Sequence, residues 1–277
     1  LAEQLALLPE YFRGHLALTF LSLVIGIAIS LPLGVWAAQA PRIKRPLLTL
    51  VSIIQTFPSV AILALVVAML GGRIGPLPAI IALVLYSILP IVRNTVTGLE
   101  NVDEEVVTAA RGIGMSPRQV LTKVRIPLAL PVIIAGIRTA AVWTVGLATL
   151  STLVGASSFG NYIFTGLQTR NLLAVSVGSL AAAVMAVILD SIIGGFQWLA
   201  LNRNAGARSA RYKAVKILVI SGLTSVLGVS VYSSLPDEEV DIVIGGKGFT
   251  EQYIVAGTVE EVLQEAGFTT EQRLGLG

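Results

Sequence analysis

The chain contains no cysteine and a single histidine, His15. A disulfide framework, thiolate metal sites and histidine-rich metal chemistry are therefore excluded, and no metal or organic cofactor is expected. Charge is scarce as well: 13% of residues are charged, where soluble domains carry about 25%. Aromatics amount to 6%, so any aromatic binding cage is small. This composition argues against a disordered, fibrous or nucleic-acid-binding chain. What fills its 277 residues is apolar: 55% are hydrophobic and the mean hydropathy is +0.83. The net charge of +3 then matters through its placement more than its sum. The chain reads as an all-α polytopic membrane protein with a different C-terminal end.

A helix needs roughly 20 apolar residues to cross ~30 Å of hydrocarbon. Charge-poor runs predict six spans, near 16–38, 47–70, 77–97, 127–153, 172–201 and 214–235. The first is too long for a cleavable signal peptide and has neither a basic leader nor a small-residue cleavage pattern. The chain also lacks an initiator Met.

Lys and Arg in the short loops set the orientation. Arg42, Lys44, Arg45, Arg111, Arg118, Lys123, Arg125, Arg203, Arg208, Arg211, Lys213 and Lys216 fall on one side, against Arg13, Arg73 and Arg170 on the other. The richer side is expected to be cytoplasmic, which places both termini outside a cell membrane.

At Leu235–Pro236 the character changes. Val240–Gly245 is a β-branched apolar run, Gly245, Gly246 and Gly248 form a turn, and Glu251–Ala266 has helical periodicity ending at Gly267. A second strand is expected near Thr270. These are the opening elements of an α/β domain that some forty residues cannot complete. The expected organisation is a transmembrane domain over 1–235, with its largest cytoplasmic loop at about 98–126, and the first fragment of an extracytoplasmic domain over 236–277.

That loop is the most informative segment. Asn101 starts a capping pattern ending at Glu104, predicting a helix from Val102 to about Arg111, which Gly112 and Gly114 break. Ser116–Pro117–Arg118–Gln119 makes a capping box for a second helix, expected to stop near Arg125, before Pro127. A DNA-reading helix-turn-helix is physically poor here, because the loop is tethered to the bilayer at both ends.

Thr108–Ala109–Ala110, then Gly114, then Val124, Ile126 and Pro127 have the spacing of the cytoplasmic motif of binding-protein-dependent ABC importer permeases, which this chain resembles. The resemblance narrows through Pro58–Ser59–Val60–Ala61, Leu85–Tyr86, Leu89–Pro90–Ile91–Val92–Arg93–Asn94–Thr95 and Gly155 to Gly166–Leu167–Gln168. Over roughly residues 16–200 these are similar to permeases for glycine betaine, carnitine and choline. The resemblance implies an ABC importer permease fold in which Thr108, Ala109, Ala110, Gly112, Gly114 and Pro127 form the element that docks on an ATPase subunit. This chain departs at Thr108, where the family usually has Glu, leaving Glu104, Glu105 or Arg111 to supply an ion pair.

Val243 to Gln252 resembles the first strand and loop of binding proteins for the same solutes, which implies substrate contacts from Phe249, Thr250, Glu251 and Gln252. Phe249 and Tyr253 are the only aromatics there before Phe268, so most of an aromatic cage in that domain is expected beyond residue 277. No Gly-x4-Gly-Lys-Ser/Thr phosphate loop is present, so ATP is expected to be used by a separate subunit and the chain is not expected to be an enzyme. The implied partners are that ATPase, a second permease copy, membrane lipid and a small quaternary ammonium solute. Another betaine such as ergothioneine, or an amino acid, is the alternative cargo. A channel or membrane-embedded enzyme is the alternative class, but the spans lack the clustered ionisable residues an enzyme needs.

Two charges remain inside the spans. Arg138 lies eleven residues after Pro127, and Asp190 eleven residues before Leu201. At ~1.5 Å per residue both sit roughly 16 Å deep, in consecutive antiparallel helices, so a pair within the chain or across a dimer is expected.

Overall fold

Prolines open the helices. In the computed structural model, which describes residues 7–202, 212, 214–222, 224, 228, 242–246 and 250–274, five helices carry proline in their first two positions. There the missing N–H deprives no carbonyl of a partner. The helices are α1 (Leu8–Gln39), α2 (Pro41–Thr56), α3 (Ser59–Met69), α4 (Pro76–Glu100), α5 (Glu104–Gly112), α6 (Pro117–Val120), α7 (Ile126–Ala148), α8 (Gly160–Gln168) and α9 (Leu172–Leu201). A π turn, Leu121–Arg125, joins α6 to α7, and a 3-10 turn, Thr149–Val154, follows α7.

Among the described residues four helices are long and apolar enough to cross a membrane: Leu8–Gln39, Pro76–Glu100, Pro117–Val154 and Leu172–Leu199. The segment expected as one straight span over 47–70 is instead two limbs, α2 and α3, bent by 100°. The cause is local. The residue before a proline avoids the helical region, and Phe57, ahead of Pro58, is extended at φ −73°, ψ 141°. The freed Phe57 carbonyl accepts a hydrogen bond from the Tyr86 hydroxyl (2.6 Å), and Gln55 Nε2 donates to the Tyr86 carbonyl (3.1 Å). Of the expected sixth span, residues 214–222 are helical, and most of the rest lies outside the described residues.

Two further expectations are corrected in the loop. Its first helix begins at Glu104, not Val102, because Asn101 terminates α4 and Asp103 is the cap, accepting from the Glu105 N–H. The second helix does not stop before Pro127. It runs through the π turn into α7, with the Ile126 N–H bonding the Leu121 carbonyl. The widened turn accommodates a proline ring that would press on the carbonyl four residues back in a regular α-helix.

α4 is the central helix, with α1 and α7 packed along it. Where α1 crosses α4, a Cβ on Gly34 would stand 2.6 Å from Thr95 Cβ. Small residues of this kind let membrane helices approach closely, with dispersion replacing a hydrophobic driving force. Contacts also define two ends. Gly75 N–H bonds the Val154 carbonyl (2.6 Å) and His15 stacks on Phe159 at one end. At the other, Lys44 pairs with Glu100 (2.6 Å) and Arg125 with Glu104 (3.1 Å). This second end holds the loop cations, while Arg13 and Arg73 belong to the first. Arg203, Arg208, Arg211 and Lys213 lie outside the described residues.

In the C-terminal segment, β1 (Ile242–Gly246) and β2 (Thr270–Leu274) pair in parallel, Ile242 opposite Thr270, across the intervening helix α10 (Thr250–Glu265). Gly267, at φ +90°, ends the helix. The Leu235–Pro236 junction lies outside the described residues.

Candidate functional site

The loop between α4 and α7 is a folded unit on the ends of the spans. α5 buries Val107 and Ala110, which join Val102 and Val120 against Leu99, Ala129 and Ile133. Glu104 pairs with Arg125 (3.1 Å) and Arg111 (3.6 Å), so its charge is committed within the loop. The Ser116–Gln119 capping box forms in both directions. Between the two helices Gly114 takes φ +86°, a left-handed conformation natural to glycine and strained for a β-branched residue.

This packing sorts the sequence-derived docking residues. Thr108 and Ala109 are exposed and, with Glu104 and Glu105, line a shallow depression on the outer face of α5. Gly112 and Gly114 are exposed in the following turn, and Pro127 is exposed in the first turn of α7. Ala110 is turned inward, into the cluster that anchors the loop. Sequence reasoning missed Val106 and Ile113, which stand 43% and 78% exposed and flank Ala109 at helical spacing. The signal was available in part: positions 106, 109 and 113 share one face, which adjoins the buried stripe of 107 and 110. The outer face is thus small and apolar at its centre with Glu104 and Glu105 at its rim, which suits close docking.

Within the spans the structure brings Arg138 and Asp190 together. Arg138 Nε donates to Asp190 Oδ1 (2.8 Å) and Nη2 to Oδ2 (2.6 Å). Nη1 donates to Gln197 Oε1 (3.1 Å), and Gln197 Nε2 donates to the Pro131 carbonyl (2.8 Å). Gln197 is the member that sequence reasoning missed, although it sits two turns after Asp190 on the same face of α9. The planar guanidinium fork suits a two-oxygen acceptor, and Gly194 leaves room for it, since a Cβ there would lie 3.2 Å from Arg138 Cζ.

Of the proposed solute contacts in the C-terminal segment, Phe249 lies outside the described residues. Thr250 and Glu251 open α10, their side chains undescribed, and Gln252 is half-buried.

Residues 30–204 match the family described as "Binding-protein-dependent transport system inner membrane component". The choline transport system permease protein OpuBB of Bacillus subtilis is 37% identical over 179 residues, 65% of this chain and 82% of that protein. The glycine betaine/carnitine/choline permease OpuCB of the same organism is 38% identical over the same lengths. The ergothioneine transport permease/ergothioneine binding protein EgtU of Helicobacter pylori is 34% identical over 265 residues, 93% of this chain and 46% of that protein, so the chain spans about half of it. Among solved structures, an inward-facing methionine ABC transporter, MetNI, aligns over 81% of this chain and 97% of its own with a TM-score of 0.57 and 23% identity, a likeness of fold alone.

Proposed function

The chain belongs to the binding-protein-dependent transport system inner membrane components, and from that premise we propose that it is the permease of an ATP-driven importer for a small quaternary ammonium solute. It is a multi-pass membrane protein and a transport component, of the kind found in ABC importers of osmoprotectants. The observation that carries the transport mechanism is the outer face of α5, where Thr108, Ala109 and Ile113 are exposed beside the Gly114 turn. An ATPase subunit docks there, two permease copies assemble with two ATPases, and nucleotide-driven closure of the ATPases moves the paired docking helices. The spans then alternate between outward- and inward-open states.

The second domain of this reading starts near residue 236, lies outside the cell membrane and supplies the solute through Phe249, Thr250, Glu251 and Gln252. Its support is the parallel β1–α10–β2 unit, whose helix leaves Ile254, Val255 and Val262 at least 60% exposed, an apolar face that a larger α/β domain buries. The cargo class rests on relatives named for choline, glycine betaine and carnitine. Ergothioneine is the second reading, favoured by a relative that aligns over 93% of this chain. Arg138 and Asp190 serve structure, holding α7 to α9 inside the membrane.

Uptake of radiolabelled choline, glycine betaine, carnitine and ergothioneine into vesicles holding the full chain, with and without the ATPase and ATP, tests the reading. Uptake that needs both ATPase and ATP is the expected result. Passive flux of ions or solute would make the chain a channel, and chemical change of the solute an enzyme.

A further inference from the structure

The break between α2 and α3 opens onto a shallow, open recess of about 430 Å³ that no docking or charge-pair residue touches. Three aromatic residues line it: Phe57 at the break, the buried Tyr86 of α4 and Trp143 of α7. Phe57 and Trp143 are 51% and 50% exposed, although both belong to the membrane-embedded part of the chain. Ser59 and Gly146 are also in its wall, and no Asp, Glu, Lys or Arg lines it.

Its depth follows from contacts already described. Gly75 and Val154 are level, being hydrogen-bonded. Tyr86 lies eleven residues from Gly75 along α4, and Trp143 is separated from Val154 by the last five residues of α7 and the 3-10 turn, which at ~1.5 Å per α-helical and ~2.0 Å per 3-10 residue puts both roughly 16–20 Å from that end. That is near the middle of the hydrocarbon, out of reach of lipid headgroups. Non-helical backbone at such depth is tolerated where it is buried in protein or lines a cavity, and interrupted helices at the midplane are where transporters build solute sites.

We propose that this recess holds the trimethylammonium group of the solute during its passage through the membrane domain. The proposal rests on the quaternary-ammonium reading of the cargo. A trimethylammonium group offers no N–H to a hydrogen-bond acceptor, so it is held by aromatic faces through cation–π attraction, strongest with Trp and strengthened by desolvation. An uncharged wall with three rings supplies that attraction without trapping the cation beside a carboxylate, which suits a site that must release what it binds. Tyr86 contributes its ring alone, since its hydroxyl is spent on the Phe57 carbonyl. A lipid acyl chain needs neither an aromatic lining nor a broken helix.

The test uses the full transporter with its ATPase in vesicles, and radiolabelled choline, glycine betaine, carnitine and ergothioneine as probes. Trp143→Leu and Phe57→Leu are expected to lower uptake efficiency of the carried probe about tenfold each, while Trp143→Phe and Phe57→Tyr stay within about threefold. Solute capture by the extracytoplasmic domain, measured in detergent, stays unchanged in all four. Leu variants that transport within twofold of the unchanged protein overturn the proposal. So do ring-retaining variants that lose as much as the Leu variants, which would mark a packing role, or Leu variants that dissociate into single permease chains, which would mark a subunit interface. If the unchanged transporter carries none of the probes, the cargo reading itself fails and takes this proposal with it, a result distinguished by needing no variant.

Discussion

Arg138 holds Asp190 through two parallel hydrogen bonds, at 2.8 and 2.6 Å, across the seam between α7 and α9. Both side chains remain about one-third exposed, 36% and 34%, so each would face the membrane interior with an unmatched charge if its partner were removed. A lone charge at mid-helix costs about 2.5–3.5 kcal/mol on insertion scales.

Arg138→Ala and Asp190→Ala should each lower the stability of the membrane-inserted chain by about 2–3 kcal/mol, while the double variant should cost less than the sum by about 1–2 kcal/mol. Thermal unfolding in detergent, read across all four members of the cycle, measures the coupling. Additive losses would show that the two charges are satisfied independently.

Gln197→Leu removes one acceptor from the guanidinium and one donor from the Pro131 carbonyl, yet leaves the ion pair in place. The expected loss is about 1–2 kcal/mol, smaller than that of Asp190→Ala. A loss equal to that of Asp190→Ala would mean that Gln197, not the carboxylate, orients Arg138.

Gly114→Val should insert and fold but uncouple ATP hydrolysis from uptake. Among the described residues, apart from its chain neighbours, no heavy atom lies within 4 Å of the added Cβ, so the strain comes from φ +86° and is expected to be relieved by reshaping the turn. Uptake should drop at least about tenfold, which corresponds to ~1.4 kcal/mol, while Gly114→Asn, which tolerates the left-handed region, retains most of it. Normal transport by the Val variant with stimulated ATPase activity would remove this turn from the docking surface.

Gly34→Ala should destabilise the chain by about 1–3 kcal/mol through overpacking, because its Cβ would meet Thr95 Cβ at 2.6 Å. Gly112→Ala, where nothing lies within 4 Å, should be neutral or gain up to about 1 kcal/mol from helix propensity. Equal melting temperatures for the two would show that α1 and α4 are less closely packed than Gly34 and Thr95 indicate.

Hydropathy made the long helices α1, α4, α7 and α9 legible, because each needs only an unbroken apolar run. It is blind to direction, and so the 100° bend between α2 and α3 passed as one span. The clue was Phe57–Pro58 following two polar residues, Gln55 and Thr56, a weak place for a helix. At the loop, Asn101 and Asp103 are both good caps, and spacing alone does not decide between them. Packing does: Asn101 is used up at the end of α4, leaving Asp103 to start α5. Pro127 misled in the opposite sense, since a π turn lets a helix continue past a proline that a regular α-helix would not tolerate. Depth counting placed Arg138 and Asp190 at one level, but depth says nothing about azimuth. Only the packed faces of α7 and α9 show that Gln197 completes the group. The recess was invisible in sequence because Phe57, Tyr86 and Trp143 come from three distant segments.

The continuity of Pro117–Val154 has a mechanical consequence. The helical path continues through the π turn and past Pro127 and Pro131, which donate no N–H, so Pro117 and Trp143 lie on one continuous helical segment, 26 residues and roughly 39 Å apart at helical rise. A gap before Pro127 would have let the loop swing while the midplane stood still. Without one, a displacement at Pro117 is expected to be carried along the segment toward Trp143, with the left-handed Gly114 at the turn beside it.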